Sequence, residues 1–418
     1  MTTIKDKKIC VIGIGYIGLP TAAMYASNGF NVVGFDVNEH TVNELNKGKI
    51  VIEEPYLDDL VMHAVDTGKL RATTVIEPAD VFFIAVPTPI TPDHKADMRY
   101  VEAACHTIKS VLKKGDIVVL ESTSPPGTTD DIVVPILKET GFDIGTDIYV
   151  AHSPERVIPG RILIELVENS RIVGGINDVS SEAVKALFKT FVKGEIFITD
   201  SKTAEMCKLM ENTYRDVNIA LANELAKICE NMGISAWEVR ELSNHHPRVN
   251  IHMPGPGVGG HCIAVDPWFI VEKHPDLARI MNASRQTNDS MPHHVLNRVK
   301  ALAEPKSKVV LLGITYKPDV DDMRESPIVE LDELLRNDGF DVQVHDPFIE
   351  RYNKDIYETL KDASLVVLAV NHKTYADIDF DRMYDVVAKP VILDTRNFWA
   401  DKLKDDKRFV NYVLGSGK

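Results

Sequence analysis

Paired cysteines are missing from this sequence. Its five cysteines are scattered, and no two of them form a CxxC motif or another pair with metal-ligand spacing; they are Cys10, Cys105, Cys207, Cys229 and Cys262. We therefore expect no metal site. An odd number of isolated thiols also argues against a disulfide framework and is typical of a protein of the reducing cytoplasm.

Long hydrophobic runs are missing too. A helix that crosses a bilayer needs about 20 consecutive apolar residues, and no stretch of the chain approaches that length. The N-terminal segment MTTIKDKKICVIGIGYIG begins with charges, and glycines interrupt its apolar run. We expect neither a signal peptide nor a membrane span, and hence a soluble, cytoplasmic protein.

Positive charge is in deficit. The chain has 47 Lys and Arg against 62 Asp and Glu, and its formal net charge is −15. A surface this acidic repels the phosphates of nucleic acids and of anionic lipids, so we expect neither nucleic acid nor a membrane as a partner. A small anionic ligand is still compatible with a local cluster of basic side chains.

The length of 418 residues exceeds one ordinary core and predicts two or three domains. Early in the chain, short β-branched runs alternate with helical stretches, which is the pattern of a parallel α/β sheet. The strands predicted in this part are residues 8–12, 31–35, 81–86, 117–121 and 147–151. The alternation returns from residue 307, with predicted strands at 308–313, 341–345, 365–370 and 391–394.

Between the two α/β parts lies the segment TAEMCKLMENTYRDVNIALANELAKICENMG, which has no proline and only a terminal glycine. It predicts one long helix that ends at Gly233. A helix of that length between two α/β parts is a natural dimer surface. The predicted architecture is an α/β domain over residues 1–200, a central helical region over 201–300 and a second α/β domain over 301–418.

The first domain carries a glycine fingerprint. Gly13, Gly15 and Gly18 follow the first predicted strand and open a helix. In a dinucleotide-binding βαβ unit, such glycines allow the tight turn, the close approach of the pyrophosphate and close helix packing. Asp36 ends the next strand, where a carboxylate binds a ribose 2′-hydroxyl and repels a 2′-phosphate. The pattern predicts NAD as the cofactor of a Rossmann-like domain, whereas VVLLGITYKPD in the second domain lacks the fingerprint.

Two more predicted strands end in hydroxyl-rich turns, VPTP with Thr88 and ESTSPPGTT with Thr123. Ligands bind at the carboxyl edge of open α/β sheets, so both hydroxyls are candidate ligand contacts. Ser, Thr and Pro are also ordinary turn residues, and the pattern alone does not separate the two interpretations. Glu155 in HSPER likewise follows a predicted strand and is either an acid/base group or a surface turn residue.

The segment HHPRVNIHMPGPGVGGHC has four glycines in six residues, which suits a backbone wrapped closely around a ligand. Cys262 ends it, just before a segment that can begin a helix, and a helix N-terminus with nearby cations favours the nucleophilic thiolate. The alternative is a buried, inert thiol, which is our interpretation of the other four cysteines. Lys208, Asn212 and Arg215 share one face of the long helix, as either a functional or a solvated stripe.

Seven segments in order resemble the UDP-glucose/GDP-mannose dehydrogenase family: GIGYIGLP, VPTP, ESTSPPGTT, HSPERVIPG, ENTYRDVNIALANEL, GPGVGGHCIAVDP and GITYKPDVDDMRESP. The resemblance implies an N-terminal NAD domain, a helical dimerisation core and a C-terminal domain that binds the UDP part. The implied reaction oxidises the C6 alcohol of a UDP-sugar to a carboxylate with two NAD and one water. The implied assembly is a homodimer or a higher homo-oligomer, and the implied setting is polysaccharide biosynthesis.

The resemblance also implies residue roles. The implied catalytic residues are Cys262, which forms a thiohemiacetal and then a thioester, Lys208 and Asn212 at the substrate oxygen, Asp266 as acid/base, Thr123 through a shared water, and Glu155 in thioester hydrolysis. With the fingerprint, the expected NAD contacts are Gly13, Gly15, Tyr16, Ile17, Gly18, Asp36, Thr88, Thr123, Lys317 and Arg324. The implied substrate contacts are Arg156, Val157, Lys208, Asn212, Arg215, His246, Arg248 and Gly259, with Arg248 supplied by the partner subunit.

One position departs from the UDP-glucose pattern. Pro159 stands where many UDP-glucose enzymes of the family carry a second glutamate, four residues after Glu155. This favours the N-acetylhexosamine branch, and SPERVIPGR and NHHPRVNIHMPGPGVGGHCIAVDPWFIV are most similar to its members that act on UDP-N-acetyl-D-mannosamine. The first alternative is a UDP-N-acetylglucosamine 6-dehydrogenase with the same machinery.

Two other classes of protein share part of the pattern. A two-electron β-hydroxyacid dehydrogenase shares the early fingerprint and a helix lysine, but it has no use for GGHC or for a second α/β domain. A non-catalytic NAD-binding regulator, in which Cys262 is inert or redox-sensing, is the alternative from a different class; it predicts no turnover and no specific effect of Lys208→Ala.

Overall fold

The two alternating parts of the sequence form two separate sheets in a computed structural model, which describes residues 4–52 and 54–417. The outermost residues of the predicted domains, 1–3 and 418, lie outside the described residues. The chain divides into a first unit, Met1–Glu211 with Trp268–Lys273, and a second unit, Asn212–Pro267 with His274–Lys418. The predicted α/β fold class is confirmed.

The first unit contains an eight-stranded sheet in the order β3-β2-β1-β4-β5-β6-β7-β8, in which only β6 and β7 pair antiparallel. Its strands are β1 Lys8–Ile12, β2 Asn31–Phe35, β3 Leu70–Thr73, β4 Val81–Ile84, β5 Ile117–Leu120, β6 Tyr149–His152, β7 Arg171–Gly175 and β8 Ile196–Asp200. The five predicted strands are present, and β3, β7 and β8 are additional. These three escape prediction because β3 alternates with exposed positions, β7 begins with a buried arginine and β8 has no fully buried residue.

Helices cover both faces of this sheet. They are α1 Gly18–Ser27, α2 Glu39–Asn46, α3 Leu57–Asp66, α4 Arg99–Lys109, α5 Val134–Lys138, α6 Ile162–Glu168 and α7 Asp178–Phe188. Adjacent residues of β4 show the two cores: Phe83 packs in the cluster with Tyr25 and Phe188, and Phe82 packs in the cluster with Ile108. Successive side chains of a strand point to opposite faces, so an all-apolar strand is buried on both sides.

The predicted long helix is confirmed as α8, Ser201–Met232, which has 32 residues. Gly233 follows it with φ +72, the left-handed conformation that ends helices. The boundary between the two units falls inside this helix, after Glu211. In the described part of the chain, no helix is both long and apolar enough to span a bilayer.

The second unit contains a five-stranded parallel sheet in the order β10-β9-β11-β12-β13. Its strands are β9 Lys308–Leu312, β10 Asp341–His345, β11 Leu365–Leu368, β12 Val391–Asp394 and β13 Val410–Val413, of which only β13 is not predicted. The remaining helices are α9 Ala236–Asn244, α10 Asp266–Lys273, α11 Arg279–Asp289, α12 Met291–Leu302, α13 Pro327–Asn337, α14 Ile356–Leu360, α15 Phe380–Val386 and α16 Ala400–Leu403. The first two residues of α10 belong to the second unit and the rest to the first unit.

The two sheets share one local feature at the end of their second strand. Asp36 accepts a hydrogen bond from the backbone N–H of Ile14 at 3.0 Å, and Asp346 accepts one from the N–H of Ile314 at 2.8 Å. Asp346, however, is completely buried, and His372 Nε2 lies 3.1 Å from its carboxylate. The carboxylate that corresponds to Asp36 in the second unit is therefore not accessible to a ligand.

Candidate active site

Five predicted site positions follow neighbouring strands of the first sheet. Asp36 follows β2, Gly13 follows β1, Thr88 follows β4, Thr123 follows β5 and Glu155 follows β6, and these strands are adjacent in the order β2-β1-β4-β5-β6. All five strands run parallel, so their carboxyl ends meet at one edge. This edge includes the switch point between β1 and β4, where ligands bind in open α/β sheets.

The glycine fingerprint has the geometry that a pyrophosphate needs. Gly13 has φ +85, and a Cβ atom there would lie 2.5 Å from the carbonyl oxygen of Ala85. A Cβ at Gly18 would lie 1.8 Å from the Gly13 oxygen, whereas a Cβ at Gly15 would meet nothing within 4 Å. The first and third glycines are thus required by packing, and the second leaves open space for a ligand. No side-chain hydrogen bond caps the start of α1, and a helix N-terminus that follows a glycine turn attracts phosphates.

Asp36 is half-buried beside this turn. Its Oδ2 accepts from the N–H of Ile14 at 3.0 Å, and its Oδ1 accepts from the N–H of Asn38 at 2.9 Å. Hydrogen bonds from backbone N–H groups hold the carboxylate in a defined position. Its negative charge disfavours a 2′-phosphate there, so the edge fits NAD better than NADP.

The two hydroxyl-rich turns are tied together by Ser122. Its Oγ accepts from the Val86 N–H at 2.9 Å and lies 2.8 Å from the Val86 oxygen, to which it donates. Ser122 and Ser124 are buried, and their hydroxyls bond to the backbone of the turns. These two residues are therefore ordinary turn residues. Thr88 and Thr123 are half-buried at the sheet edge. The two turns therefore form one connected piece of the edge.

Glu155 lies in a buried charge cluster. Its Oε2 accepts from Arg171 Nη2 at 2.6 Å, and Glu121 Oε1 lies 4.0 Å from Arg171 Nη1. Thr21 Oγ1 also donates to Glu121 at 3.1 Å. Burial, followed by the charge of Glu155, raises the pKa of Glu121, while Arg171 and the Thr21 hydrogen bond oppose that rise. Glu155 is therefore a buried, ion-paired group and the surface-turn interpretation is wrong.

The sequence analysis missed the two partners of Glu155. Glu121 ends the apolar strand segment IVVLE, and Arg171 begins a strand. A charged residue at the end of an apolar strand is a signal for a buried pair, since a lone buried charge is very costly. The pattern did not reveal that these two charges meet Glu155, because they lie far apart along the chain.

Arg156 and Val157, the next predicted substrate contacts, are half-buried. Nη1 of Arg156 lies 2.7 Å from Glu211 Oε1, and its Nη2 donates to the carbonyl oxygen of Ser170. This guanidinium is therefore already held by protein groups on two sides. These two contacts leave other N–H donors of the guanidinium for a ligand.

The three predicted residues of α8 differ in burial. Asn212 is buried, Lys208 is half-buried and Arg215 is exposed. A stripe that was merely solvated would not bury its asparagine, so that interpretation fails for Asn212. Lys208 belongs to the first unit, and Asn212 and Arg215 belong to the second.

Cys262 lies in the turn that leads into α10. It is half-buried, and its carbonyl oxygen accepts from the Val265 N–H at 3.1 Å and from the Asp266 N–H at 2.8 Å. The expectation that a helix follows this cysteine is confirmed. Asp266 opens that helix, is buried, and accepts a hydrogen bond from Asn212 Nδ2 at 2.6 Å. The candidate nucleophile thus lies four residues before a buried, hydrogen-bonded carboxylate, in the same turn.

The glycines before Cys262 pack closely against another part of the second unit. A Cβ at Gly259 would lie 2.3 Å from the carbonyl oxygen of Glu325, and one at Gly260 would lie 2.8 Å from the Tyr316 ring. Gly260 also has φ +84 and donates its N–H to the Arg324 oxygen at 3.1 Å. Close packing on protein segment 316–325 therefore requires these glycines, and their contact with a ligand stays a prediction.

This packing brings two predicted NAD contacts beside the Cys262 loop. Lys317 and Arg324 both lie on segment 316–325 of the second unit. Arg324 forms an ion pair with Asp322, with Nη2 and Oδ2 at 2.6 Å. His246, Arg248 and Arg215 are exposed on the second unit. The roles of these three residues in substrate binding stay predictions.

A buried polar network, missed by the sequence analysis, holds the start of the glycine loop. Asn223 Oδ1 accepts from the Gly255 N–H at 2.8 Å, and its Nδ2 donates to Asn288 Oδ1 at 2.9 Å. Asn288 Nδ2 and Arg285 Nη1 both donate to Asp216 Oδ1, at 2.8 and 2.6 Å. The signal was a set of polar residues at positions of α8 and α11 that face the interior.

Arg396 is a further residue that the sequence analysis missed. It follows β12, and its Nε donates to the carbonyl oxygen of Ala369 at 3.2 Å. A Cβ at Gly255 would lie 2.5 Å from its Nη1, so this glycine makes room for the guanidinium. Burial lowers the pKa of Arg396 to about 10. The motif DTR at the end of a predicted strand was the available signal for a cation at this sheet edge.

The remaining cysteines separate into two groups. Cys10, Cys105 and Cys229 are buried, and burial raises the pKa of the Cys10 and Cys105 thiols to about 12. Cys207 is only half-buried, so the interpretation of all four as buried thiols is wrong for this one. It lies on α8, and its side of the helix is not fully covered. Across residues 4–52 and 54–417, no three His, Cys, Asp or Glu side chains cluster where they would hold a metal ion.

Three sequence profiles of one family match the chain in succession. They are the NAD binding domain of the UDP-glucose/GDP-mannose dehydrogenase family over residues 7–192, its central domain over 202–290 and its UDP binding domain over 310–401. The second α/β domain is thus a UDP-binding domain, and NAD is the cofactor of the first.

Individual relatives agree with the profiles. The chain is 47% identical over 422 residues to a UDP-N-acetyl-D-mannosamine dehydrogenase of Methanocaldococcus jannaschii, covering 99% of this chain and 97% of the relative. It is 47% identical over 420 residues to an NDP-N-acetyl-D-galactosaminuronic acid dehydrogenase of Ralstonia nicotianae, covering 95% and 97%. The solved UDP-N-acetyl-mannosamine dehydrogenase of S. aureus is 46% identical, with a TM-score of 0.90 over 98% of this chain and 99% of that one. Identity at this level across nearly the whole length means that the chain belongs to the UDP-glucose/GDP-mannose dehydrogenase family of NAD-dependent oxidoreductases.

Proposed function

We propose that the protein oxidises the C6 alcohol of UDP-N-acetyl-D-mannosamine to the carboxylate of UDP-N-acetyl-D-mannosaminuronate. The reaction consumes two NAD and one water, and it passes through a thiohemiacetal and a thioester on Cys262. The observation that carries the proposal is the buried hydrogen bond of 2.6 Å between Asn212 and Asp266, at the start of the helix that Cys262 precedes.

The four-electron balance explains why a nucleophile is needed. The first oxidation removes a hydride and a proton from the alcohol and leaves an aldehyde. The Cys262 sulfur adds to that aldehyde, so the same carbon again bears a hydroxyl and a hydrogen that is able to leave as hydride. Loss of a second hydride and proton gives the thioester, and water then cleaves the C–S bond and returns the thiol. NAD, when bound, accepts the hydride in each oxidation.

The other residues of the proposed catalytic set supply the charge stabilisation and the proton transfers. Lys208 and Asn212 hold the substrate oxygen as it becomes an alkoxide. Asp266 exchanges protons with a water that the Thr123 hydroxyl also binds. The Asn212 amide donates to Asp266 and so orients the acid/base group. Lys208 lies one turn before Asn212 on the same helix, α8.

Glu155 assists the hydrolysis of the thioester by accepting a proton from the attacking water. Two donors fix the position of its carboxylate: Arg171 Nη2 donates to it at 2.6 Å and the N–H of Arg156 at 2.7 Å.

NAD lies along the carboxyl edge of the first sheet. The fingerprint glycines with Tyr16 and Ile17 hold the pyrophosphate, Asp36 binds the ribose, and Thr88 and Thr123 contact the remainder; Lys317 and Arg324 complete the set. The UDP part is bound by Arg156, Val157, Arg215, His246, Arg248 and Gly259. We add Arg396, whose cationic group lies at the edge of the UDP-binding domain's sheet beside Gly255.

The sugar assignment is supported by similarity. Relatives at 46% to 47% identity carry the name UDP-N-acetyl-D-mannosamine dehydrogenase, and Pro159 replaces the second glutamate of the UDP-glucose pattern. A relative at 47% is named for N-acetyl-D-galactosaminuronic acid, which supports a galacto-configured substrate as the second candidate. Both names belong to N-acetylhexosamines, so the branch is better supported than the configuration.

The long helix supports a homodimer as the working assembly, with three functional regions over residues 1–200, 201–300 and 301–418. Tyr214, Leu221 and Ile228 are exposed by 55%, 56% and 48% and are spaced seven residues apart on α8. An apolar stripe at that spacing lies along one side of a helix and packs against a second helix. A second copy of this chain supplies that helix, and Arg248 of the partner subunit contacts the substrate.

The free thiols are consistent with a protein that works in a reducing cytoplasm.

The test is the number of NADH formed per sugar consumed. Purified protein is given NAD with the UDP-linked N-acetylhexosamines of manno, gluco and galacto configuration, and with UDP-glucose. Two NADH per sugar and a clear preference for the manno compound are expected; one NADH per sugar would exclude the covalent mechanism. Cys262→Ser should abolish formation of the acid, whereas Cys207→Ser, at the other half-buried thiol, should retain it.

A further inference from the structure

Glu205 is a completely buried carboxylate on α8, one helical turn before Lys208. It accepts three hydrogen bonds from one loop of the first unit. The donors are the N–H of Gly127 at 2.5 Å, the N–H of Thr129 at 2.8 Å and the Oγ1 of Thr129 at 2.7 Å. No part of the reaction described above makes use of this residue.

The loop that Glu205 holds is the one that carries Thr123. Its first residues are fixed by Ser122, whose Oγ is hydrogen-bonded to both the N–H and the carbonyl of Val86. Its last residues, 127–129, are fixed by Glu205. The Thr123 hydroxyl thus lies on a short segment that is held at its start by the Ser122–Val86 hydrogen bonds and at its end by Glu205 of α8.

The choice of a carboxylate at this position is costly. Burial raises the pKa of Glu205 to about 7, even though the hydrogen bonds from Thr129 and Gly127 lower it. A neutral, apolar side chain would fill the same space without desolvating a charge, but it would leave the two N–H groups and the hydroxyl without an acceptor. The carboxylate has two oxygens and accepts all three.

We propose that Glu205 is a positioning residue that fixes the Thr123 loop to the helix carrying Lys208, and thereby sets where the Thr123 hydroxyl lies relative to the Lys208 ammonium group. This inference rests on the proposed roles of Thr123 and Lys208. Residues three apart on a helix are neighbours on its surface, so the anchor and the ammonium group belong to one rigid turn. Movement of the loop against that turn displaces the hydroxyl and leaves the lysine in place.

Glu205→Gln is the variant that isolates this role. The amide is the same size, and its oxygen is still able to accept the two Thr129 bonds. Its NH2 group, however, then faces the N–H of Gly127, and two donors repel each other. The loop loses its Gly127 anchor without the creation of a cavity. A displacement of this kind lowers kcat by between about tenfold and a hundredfold, while the KM for the UDP-sugar stays near the wild-type value.

Asp130→Asn is the matched control. Asp130 joins the same two elements, since its carboxylate lies 3.4 Å from Lys202 Nζ and 3.1 Å from Ser201 Oγ. That ion pair is partly exposed, so its loss should change kcat by less than about twofold. If Asp130→Asn and Glu205→Gln lower kcat equally, then kcat depends on any contact between the loop and the helix. That result would refute a specific role of Glu205.

A double-mutant cycle separates positioning from general stability. Kinetics are measured on the full chain with NAD and its UDP-sugar, well below the melting temperature of each variant. If Glu205 acts through Thr123, then Glu205→Gln in a Thr123→Ala background should lower kcat by less than about threefold. A folded Glu205→Gln protein with wild-type kcat, or one whose loss is undiminished in the Thr123→Ala background, overturns the proposal.

A second pair of variants covers the case in which Glu205→Gln does not fold. Thr129→Val removes one of the three donors and keeps the shape, and it should lower kcat by about threefold or more; Thr129→Ser keeps the hydroxyl and should retain kcat. Equal kcat for Thr129→Val and Thr129→Ser overturns the proposal. Failure of the proposed function itself looks different, because Thr123→Ala and Lys208→Ala would then be fully active.

Discussion

The side-chain amide of Asn212 donates a hydrogen bond to the carboxylate of Asp266 across 2.6 Å, between residues 54 positions apart. Both side chains are buried. A buried carboxylate whose position is fixed by a hydrogen bond from a neutral amide is a suitable acid/base group.

This relationship predicts the effect of Asn212→Asp. Two carboxylates at this distance do not both ionise, so the pair retains a proton and its pKa rises. We expect kcat to fall by at least about a hundredfold at neutral pH. We also expect the free energy of unfolding to fall as the pH rises, because the folded pair binds its proton more tightly than the unfolded chain does. Urea denaturation at acidic and alkaline pH measures this slope. Asn231→Asp, at an exposed position of the same helix, is the control and should show no such slope.

Alkylation of the native protein should distinguish its thiols. We expect iodoacetamide at about pH 8 to modify Cys262 and Cys207, which are half-buried, and to leave Cys10, Cys105 and Cys229 unmodified until the chain is unfolded. The raised pKa values keep the Cys10 and Cys105 thiols protonated at that pH. Peptide mass spectrometry measures each site. A bound UDP-sugar should protect Cys262 but not Cys207, and equal labelling with and without it would contradict the assignment of the nucleophile.

Asp36→Ala should weaken NAD binding. The substitution removes the carboxylate that the ribose requires and also the acceptor for the N–H of Ile14 and of Asn38. We expect the Kd for NAD, measured by calorimetry, to rise by about tenfold to a hundredfold, and the preference for NAD over NADP to shrink. Asp59→Ala, at an exposed site in the same unit, should leave the Kd unchanged. An unaltered Kd in Asp36→Ala would mean that the cofactor is bound elsewhere.

Leu221→Glu should convert the proposed dimer into monomers. It places a charge in the middle of the apolar stripe on α8, where burial against a second helix would desolvate it. Analytical ultracentrifugation at several concentrations gives the assembly state, and activity should fall with dissociation if the pocket is completed by the partner. Leu277→Glu is the control, because Leu277 is 82% exposed outside the stripe. A dimer that persists in Leu221→Glu would refute the stripe as the interface.

Glu121→Gln should make the protein less sensitive to alkaline pH. The pKa of Glu121 is raised by burial and by Glu155, so the folded state binds this proton more tightly than the unfolded chain. Wild-type stability therefore declines as the pH rises above the ordinary carboxyl range, through the folded-state pKa. Glutamine imitates the protonated form, so the variant should match the wild type at about pH 6 and exceed its free energy of unfolding at about pH 9. Glu182→Gln, at an exposed site, should follow the wild type at both values.

Local patterns predicted much of the architecture. The apolar runs at β1, β2, β4 and β5 are strands because they are buried on both faces, and such runs are recognisable without a structure. The thirty-residue stretch free of proline was enough to predict α8. Strands with exposed or glycine-rich sequences, such as β7 and β8, were missed because neighbouring strands, and not their own pattern, place them in the sheet.

The sequence by itself determined which chemistry-bearing motifs follow a strand. It also determined the glycine fingerprint with Asp36 and the cysteine before a helix. Each of these features depends on residues that are close together in the chain. Only the tertiary structure decided which charges are buried together. Glu121, Glu155 and Arg171 come from three strand ends, Asn212 meets Asp266 from another helix, and Glu205 reaches the Thr123 loop from 76 residues away or more. The physical reason is that burial and hydrogen-bond partners, which set pKa and position, are properties of the packed chain and leave little trace in local periodicity.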